Sequence, residues 1–209
     1  MTDALNTADA SPDGVPAELA IAETRAWVRR AVIGLNLCPF AKAPQAKGLV
    51  RYVASPARDV EGLLTALIEE LNNLAQTTAS QIETTLLIHP WVMNDFADYN
   101  DFLETAEAAI EELDLEGIIQ VASFHPQYQF ADTEPEDVSN ATNRSPYPTR
   151  HLLREESLAR AIEAFGDVET IYGANIARMR TLGVAGWEAL QQLCHDDAVA
   201  ASHGPRPPR

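Results

Sequence analysis

Two histidines in this chain each stand directly before a proline at the end of an apolar run. The runs are Thr85-Leu86-Leu87-Ile88-His89-Pro90 and Val121-Ala122-Ser123-Phe124-His125-Pro126. A third run, Val50-Arg51-Tyr52-Val53-Ala54-Ser55-Pro56, ends in the same way on a serine. Imidazole serves general acid–base chemistry near neutral pH and ligates zinc, iron or copper. His89 and His125 are therefore the leading candidates for catalysis or for a divalent metal, with Ser55 beside them as a substrate contact. The alternative for each ring is structural: it fills the sheet rim and hydrogen-bonds a backbone carbonyl, holding the loop that follows.

Further candidates follow the second His-Pro pair. Arg144, between Asn143 and Ser145, can hold a carboxylate or phosphate by two parallel bonds, with Asn143 and Tyr128 completing a substrate contact. The other reading of Arg144 is a surface pair with Asp137, Glu155 or Glu156, and that surface reading is preferred for Arg150. Tyr128 and Tyr147 either line the same pocket or pack the loop down. His151 and Glu155 are four apart, so on a helix they share one face and can supply two metal ligands. His89, His125 and His151 with Glu155 or Cys38 could bind zinc in an open catalytic geometry. No C-x2-C pair and no H-E-x-x-H supports zinc, and a salt-bridged His151–Glu155 pair is the commoner outcome. Cys38 sits among Leu35, Leu37 and Phe40, which suits an inert buried thiol unless the fold brings a histidine to it. Cys194 falls in the polar run Gln191-Gln192-Leu193-Cys194-His195-Asp196-Asp197 near the end and is read as incidental. No G-x-G-x-x-G, Walker loop or G-x-S-x-G elbow occurs, which argues against nucleotide cofactors and α/β-hydrolase chemistry.

The elements that must position these residues can be read from periodicity. A residue before proline is pushed to extended backbone, and proline cannot donate to a sheet ladder, so each of the three runs reads as a strand with a fixed stop. Helical stripes separate them: Leu63, Leu64, Leu67, Ile68, Leu71 and Leu74 after Asp59, then Phe96, Tyr99, Phe102, Leu103, Ala106, Ile110 and Leu113 after Asn94. A first helix carries Ile21, Trp27, Val28, Ala31, Val32 and Leu35 and closes before Pro39. Two more helices are expected, over about 151–165 and about 168–182 ahead of Gly183. The expected class is α/β, a small, mainly parallel sheet (β-α-β-α-β) covered by helices, with one N-terminal and two C-terminal helices. Parallel strands end on one edge, where open α/β sheets bind ligands, so Ser55, His89 and His125 should meet at one rim. The polar stretch Gln127 to Pro148 is long enough to act as a lid. A single domain over 17–190 is expected, with disordered tails over 1–16 and 196–209.

Three segments carry a resemblance: Leu35-Asn36-Leu37-Cys38-Pro39-Phe40-Ala41, Ser123-Phe124-His125-Pro126-Gln127-Tyr128-Gln129-Phe130 and Thr142-Asn143-Arg144-Ser145-Pro146-Tyr147-Pro148. The chain resembles the uncharacterised bacterial and plant proteins grouped as domain of unknown function 1415, over roughly 24–187. The resemblance implies that these segments belong to one site. It brings no activity, cofactor or catalytic residue with it.

The chain has 209 residues and a formal net charge of −16. Phosphate backbones and anionic membranes repel such a surface, so no nucleic-acid or membrane partner is expected. No apolar stretch approaches the roughly 20 residues of a membrane span, and the N-terminus has no secretory pattern, so a cytoplasmic location is expected. The functional expectation is a small enzyme, a hydrolase or group transferase, acting on a small anionic molecule. The alternatives are a non-catalytic metabolite- or protein-binding module and a metal-binding protein.

Overall fold

The computed structural model describes residues 14–166 and 169–202. Of the expected tails, residues 1–13 and 203–209 lie outside the described residues. The elements run in the order α1 (Ala17–Trp27), a π-helical segment (Val28–Ile33), α2 (Lys42–Ala46), β1 (Val50–Ala54), α3 (Val60–Gln76) and β2 (Thr84–Ile88). There follow α4 (Phe96–Glu112), β3 (Ile119–Phe124), a 3-10 helix (Val138–Asn143), β4 (Thr149–Arg154), α5 (Glu155–Phe165) and α6 (Glu169–Ser202).

The three proline-stopped runs are strands, and the β-α-β-α-β succession is present. The sheet itself is mixed, which corrects the mainly parallel expectation. Its order is β1-β2-β4-β3: β1 and β2 pair in parallel, whereas β4 pairs antiparallel with both β2 and β3. β1, β2 and β3 still point the same way, but the crossover through α4 leaves a gap one strand wide, and β4 fills it. Of its residues Thr149–Arg154, those from His151 onward were expected to open a helix. Leu152 and Leu153 also fit the helical spacing of Leu158, Ala161 and Ile162, and a strand covered on both faces loses the alternation that would mark it. Thr149, Arg150 and Leu152 are indeed fully buried. His151 and Glu155 therefore do not share a helix face: one is mid-strand, the other opens α5.

Two cores sandwich the sheet. On one face Leu63, Leu67, Leu71 and Leu74 of α3 and Phe102, Ala106 and Ile110 of α4 pack on Leu87, Leu152 and Ile119. On the other, Trp27, Val28 and Ala31 meet Leu86, with Met179, Trp187 and Cys194 of α6. The caps have local causes. Asp59 accepts from the Gly62 amide, and Asp95 (rather than the expected Asn94) accepts from the Ala97 and Asp98 amides. Gly183, at φ 70°, breaks α6 where a stop was expected. The chain then resumes helix through to Ser202, past the boundary set at 190, because Trp187, Cys194 and Ala198 bury against the fold. No helix of the described residues is long and apolar enough to cross a membrane.

Candidate functional site

The strand ends meet as the proline pattern requires, but in the interior. His89 and His125 are both fully buried. Between them lies Tyr99 of α4, its ring 5.8 Å from His89 and 4.8 Å from His125. His125 is locked at both nitrogens: Nδ1 accepts from the Gln127 amide at 3.0 Å, so Nε2 carries the proton and donates to the Met93 carbonyl at 3.1 Å. His89 donates from Nδ1 to the Val92 carbonyl at 3.1 Å, and its Nε2 lone pair is buried without a partner. Both rings thus tie down the loop after β2. Burial, with Arg150 nearby, lowers the pKa of His89 to about 3 and shifts that of His125 down as well, so both are neutral at pH 7.

Arg150, expected on the surface, is the largest fully buried side chain among the described residues. As a β4 residue facing α4, it donates to the Ser123 hydroxyl at 2.9 Å and to the Tyr99 carbonyl, and its guanidinium lies 3.7 Å above the Tyr99 ring. It has no carboxylate partner among the described residues, and its Nε is unsatisfied. Sequence reasoning missed it because the central strand that carries it was not recognised.

The other expected contacts serve the backbone. The Ser55 hydroxyl accepts from the Ala57 amide at 3.2 Å. Asn143 donates to the Ser123 carbonyl, and Tyr128 packs edge-on against Phe130 and tilted against Phe96. Arg144 donates to the Tyr128 carbonyl at 3.1 Å and the Pro135 carbonyl at 2.7 Å, cross-tying the segment expected to be a lid. Ser139, Asn140, Ala141 and Ser145 of that segment are buried. No group of three or more metal-ligating side chains converges among the described residues. β4 separates the ends of β2 and β3, and the alternation of a strand turns His151 to the sheet face opposite Arg150.

On that opposite face is a cavity of about 140 Å³. Its walls are mainly apolar: Trp27, Val32, Phe40 and Leu86 with Phe124 and Leu158. Cys38 and His151 line it together, a convergence the sequence could not supply. The Thr84 hydroxyl donates to the Leu152 carbonyl at 2.6 Å, so its oxygen accepts the His151 Nε2 proton at 2.7 Å. That leaves the lone pair on His151 Nδ1, which has no hydrogen-bond partner among the described residues. Burial pushes the His151 pKa down to about 4 and the Cys38 thiol up, so the cavity presents a neutral imidazole and a neutral thiol at pH 7. Thr84 was missed because it precedes the run that was read as the strand.

A family of proteins of unknown function, DUF1415, matches residues 19–189. The chain belongs to this family. No curated protein and no solved structure matches it. The second and third of the segments that carried the resemblance stay together, Asn143 donating to the Ser123 carbonyl and Arg144 to the Tyr128 carbonyl, and Phe124 of the second reaches the cavity lined by the first. Cys38, Phe40 and Ala41 line the cavity, whereas His125 and Tyr128 belong to the strand-end cluster on the other face.

Proposed function

We propose that this DUF1415 protein binds a compact, largely apolar small molecule in the cavity beneath α5, held by one hydrogen bond to His151. The cavity carries the reading. An apolar hollow with few convergent polar groups is the usual form of a small-molecule site. Its volume, about 140 Å³, is close to that of an engineered apolar cavity of roughly 150 Å³ that takes benzene. Neutral His151 offers an acceptor, which selects ligands with a single O–H or N–H donor over pure hydrocarbons. α5 covers the cavity with Ser157, Leu158 and Ala161 yet has no fully buried residue, so it can shift to admit the ligand.

Phenol and toluene test this by thermal denaturation. Ligand at 100 times its Kd stabilises by about 2.7 kcal/mol, or roughly 5–10 °C in a chain of this size. Phenol should raise Tm more than toluene, and Ala161→Phe, which fills the cavity, should abolish both shifts. Equal shifts in the wild type and in Ala161→Phe would remove the basis of the reading.

One observation favours a second reading, the expected enzyme with an anionic substrate at the strand ends. A fully buried guanidinium without a carboxylate is costly, and an anion reaching Arg150 would offset that cost. Inorganic phosphate, sulfate and acetate should then each raise Tm in the wild type and not in Arg150→Met.

A further inference from the structure

A different part of the molecule has the arrangement of an acid–base centre. The buried residues of α1 are Ala20, Glu23, Thr24, Ala26 and Trp27, continued in the π-helical segment by Val28 and Ala31. Glu23 is thus a carboxylate on an apolar stripe, and only 8% of it is exposed. Both of its oxygens are engaged. Oε2 accepts from the Tyr147 hydroxyl, and Oε1 accepts from Nδ1 of His195 on α6. Because a carboxylate only accepts, Nδ1 must carry the ring proton. The Nε2 lone pair then points away from Glu23, on a side chain that is 50% exposed. No described residue hydrogen-bonds to it.

This pair borders a cleft of about 200 Å³. Trp27, Trp187, Leu190 and Pro146 give it apolar walls, and Ser145 and Cys194 lie alongside. The surroundings keep the pair in register. Tyr147 stays a phenol, because burial and the adjacent carboxylate both raise its pKa, so it remains a donor to Glu23. Cys194 stays a thiol, its pKa pushed up to about 11 by burial. Arg30 grips Asp197 by two hydrogen bonds of 2.7 and 2.8 Å, pinning the last turns of α6 to the π-helical segment. A carboxylate that fixes the tautomer of a histidine and steadies its protonated form is the orienting half of a general-base centre.

We infer that the cleft between α1 and α6 is a second functional site, in which His195 acts as general base on water and Glu23 positions it. The substrate class is a small neutral ester with an apolar body. The apolar walls suit such a body, and the net charge of −16 disfavours anions. In the step, Nε2 takes a proton from water as its oxygen bonds to the ester carbonyl carbon. The intermediate then expels the alcohol, which takes that proton back from the imidazolium, leaving the acid and a neutral His195. Glu23 and Tyr147 fall within the family segment, and His195 lies beyond it. Of the residues lining this cleft only Trp27 also lines the cavity beneath α5, and the inference does not rest on the binding proposed there.

The test uses the full chain and p-nitrophenyl acetate as the probe. The wild type should hydrolyse it with saturation. His195→Gln should lower kcat/KM by about 100-fold, the usual scale for a lost general base, without lowering Tm. Glu23→Gln should lower kcat more than it raises KM. Long-range nitrogen–proton NMR of the wild type should report the Nδ1–H tautomer for His195, a readout that needs neither turnover nor a variant that folds. Absence of saturable hydrolysis, retention of the rate in His195→Gln within twofold, or an Nε2–H tautomer would each overturn the inference.

Discussion

Replacing Tyr99 by phenylalanine isolates what holds the strand-end cluster together. The Tyr99 hydroxyl sits between the ends of two paired strands: it accepts from the Phe124 amide at 2.9 Å and donates to the Thr149 carbonyl at 2.9 Å. Phe124 and Thr149 are register partners, so the hydroxyl bridges the last rung of the β3–β4 ladder. Phenylalanine keeps the ring, its contacts with His89 and His125, and the stack beneath Arg150, and removes only that oxygen. Two backbone groups at a site where Tyr99 is 1% exposed would then lose their partner. Each orphaned group costs about 1–3 kcal/mol, so the expected loss is about 3 kcal/mol. At roughly 2–4 °C per kcal/mol for a chain of this size, Tm should fall by about 6–12 °C. Urea denaturation followed by tryptophan fluorescence measures it, with Tyr172→Phe, at a residue 59% exposed, as the neutral control. A loss below about 0.5 kcal/mol would mean that the ladder closes directly between Phe124 and Thr149, and that the hydroxyl bridge is dispensable.

Three more outcomes are expected. The pKa of His151 is about 4 in the folded protein against 6.5 in an unfolded chain, and that of His89 is about 3. Between those values the unfolded state binds more protons, so stability is full above pH 6.5 and falls as pH drops through that window. The His151 contribution alone is about 3 kcal/mol, and urea titrations of His151→Phe across pH 7 to 4 should show a shallower fall than the wild type. Arg144→Ala should release the cross-tie between Tyr128 and Pro135, and faster amide exchange over residues 128–137 with little change in the sheet would establish it. Asp95→Ala removes the acceptor for two amides at the start of α4 and should cost about 1 kcal/mol in chemical denaturation.

The strands that end at proline were legible because the constraint is local: a pre-proline residue is extended wherever the chain goes. The helix stripes of α3 and α4 were legible for the same reason, since each periodic face buries almost as its spacing implies. β4 was not, because Arg150 in a central strand looks like a surface residue until Tyr99, Ser123 and Phe102 are seen around it. Glu23 did carry a signal, as a carboxylate in step with Ala20, Thr24 and Trp27 on one helical face. What it faced could not be read, since His195 is 172 positions away.

Local chemistry alone therefore determined which segments extend, where they stop, and that Ser55, His89 and His125 end strands running the same way. Whether those rings meet solvent was a question of coverage, and it was decided by α4, by the loop after β2 and by a strand inserted from a distant part of the chain. Among the described residues the less deeply buried imidazoles are instead His151 and His195, each given its tautomer by a partner on another element. Tautomer and exposure depend on contacts between residues far apart in sequence, and only the assembled tertiary structure contains them.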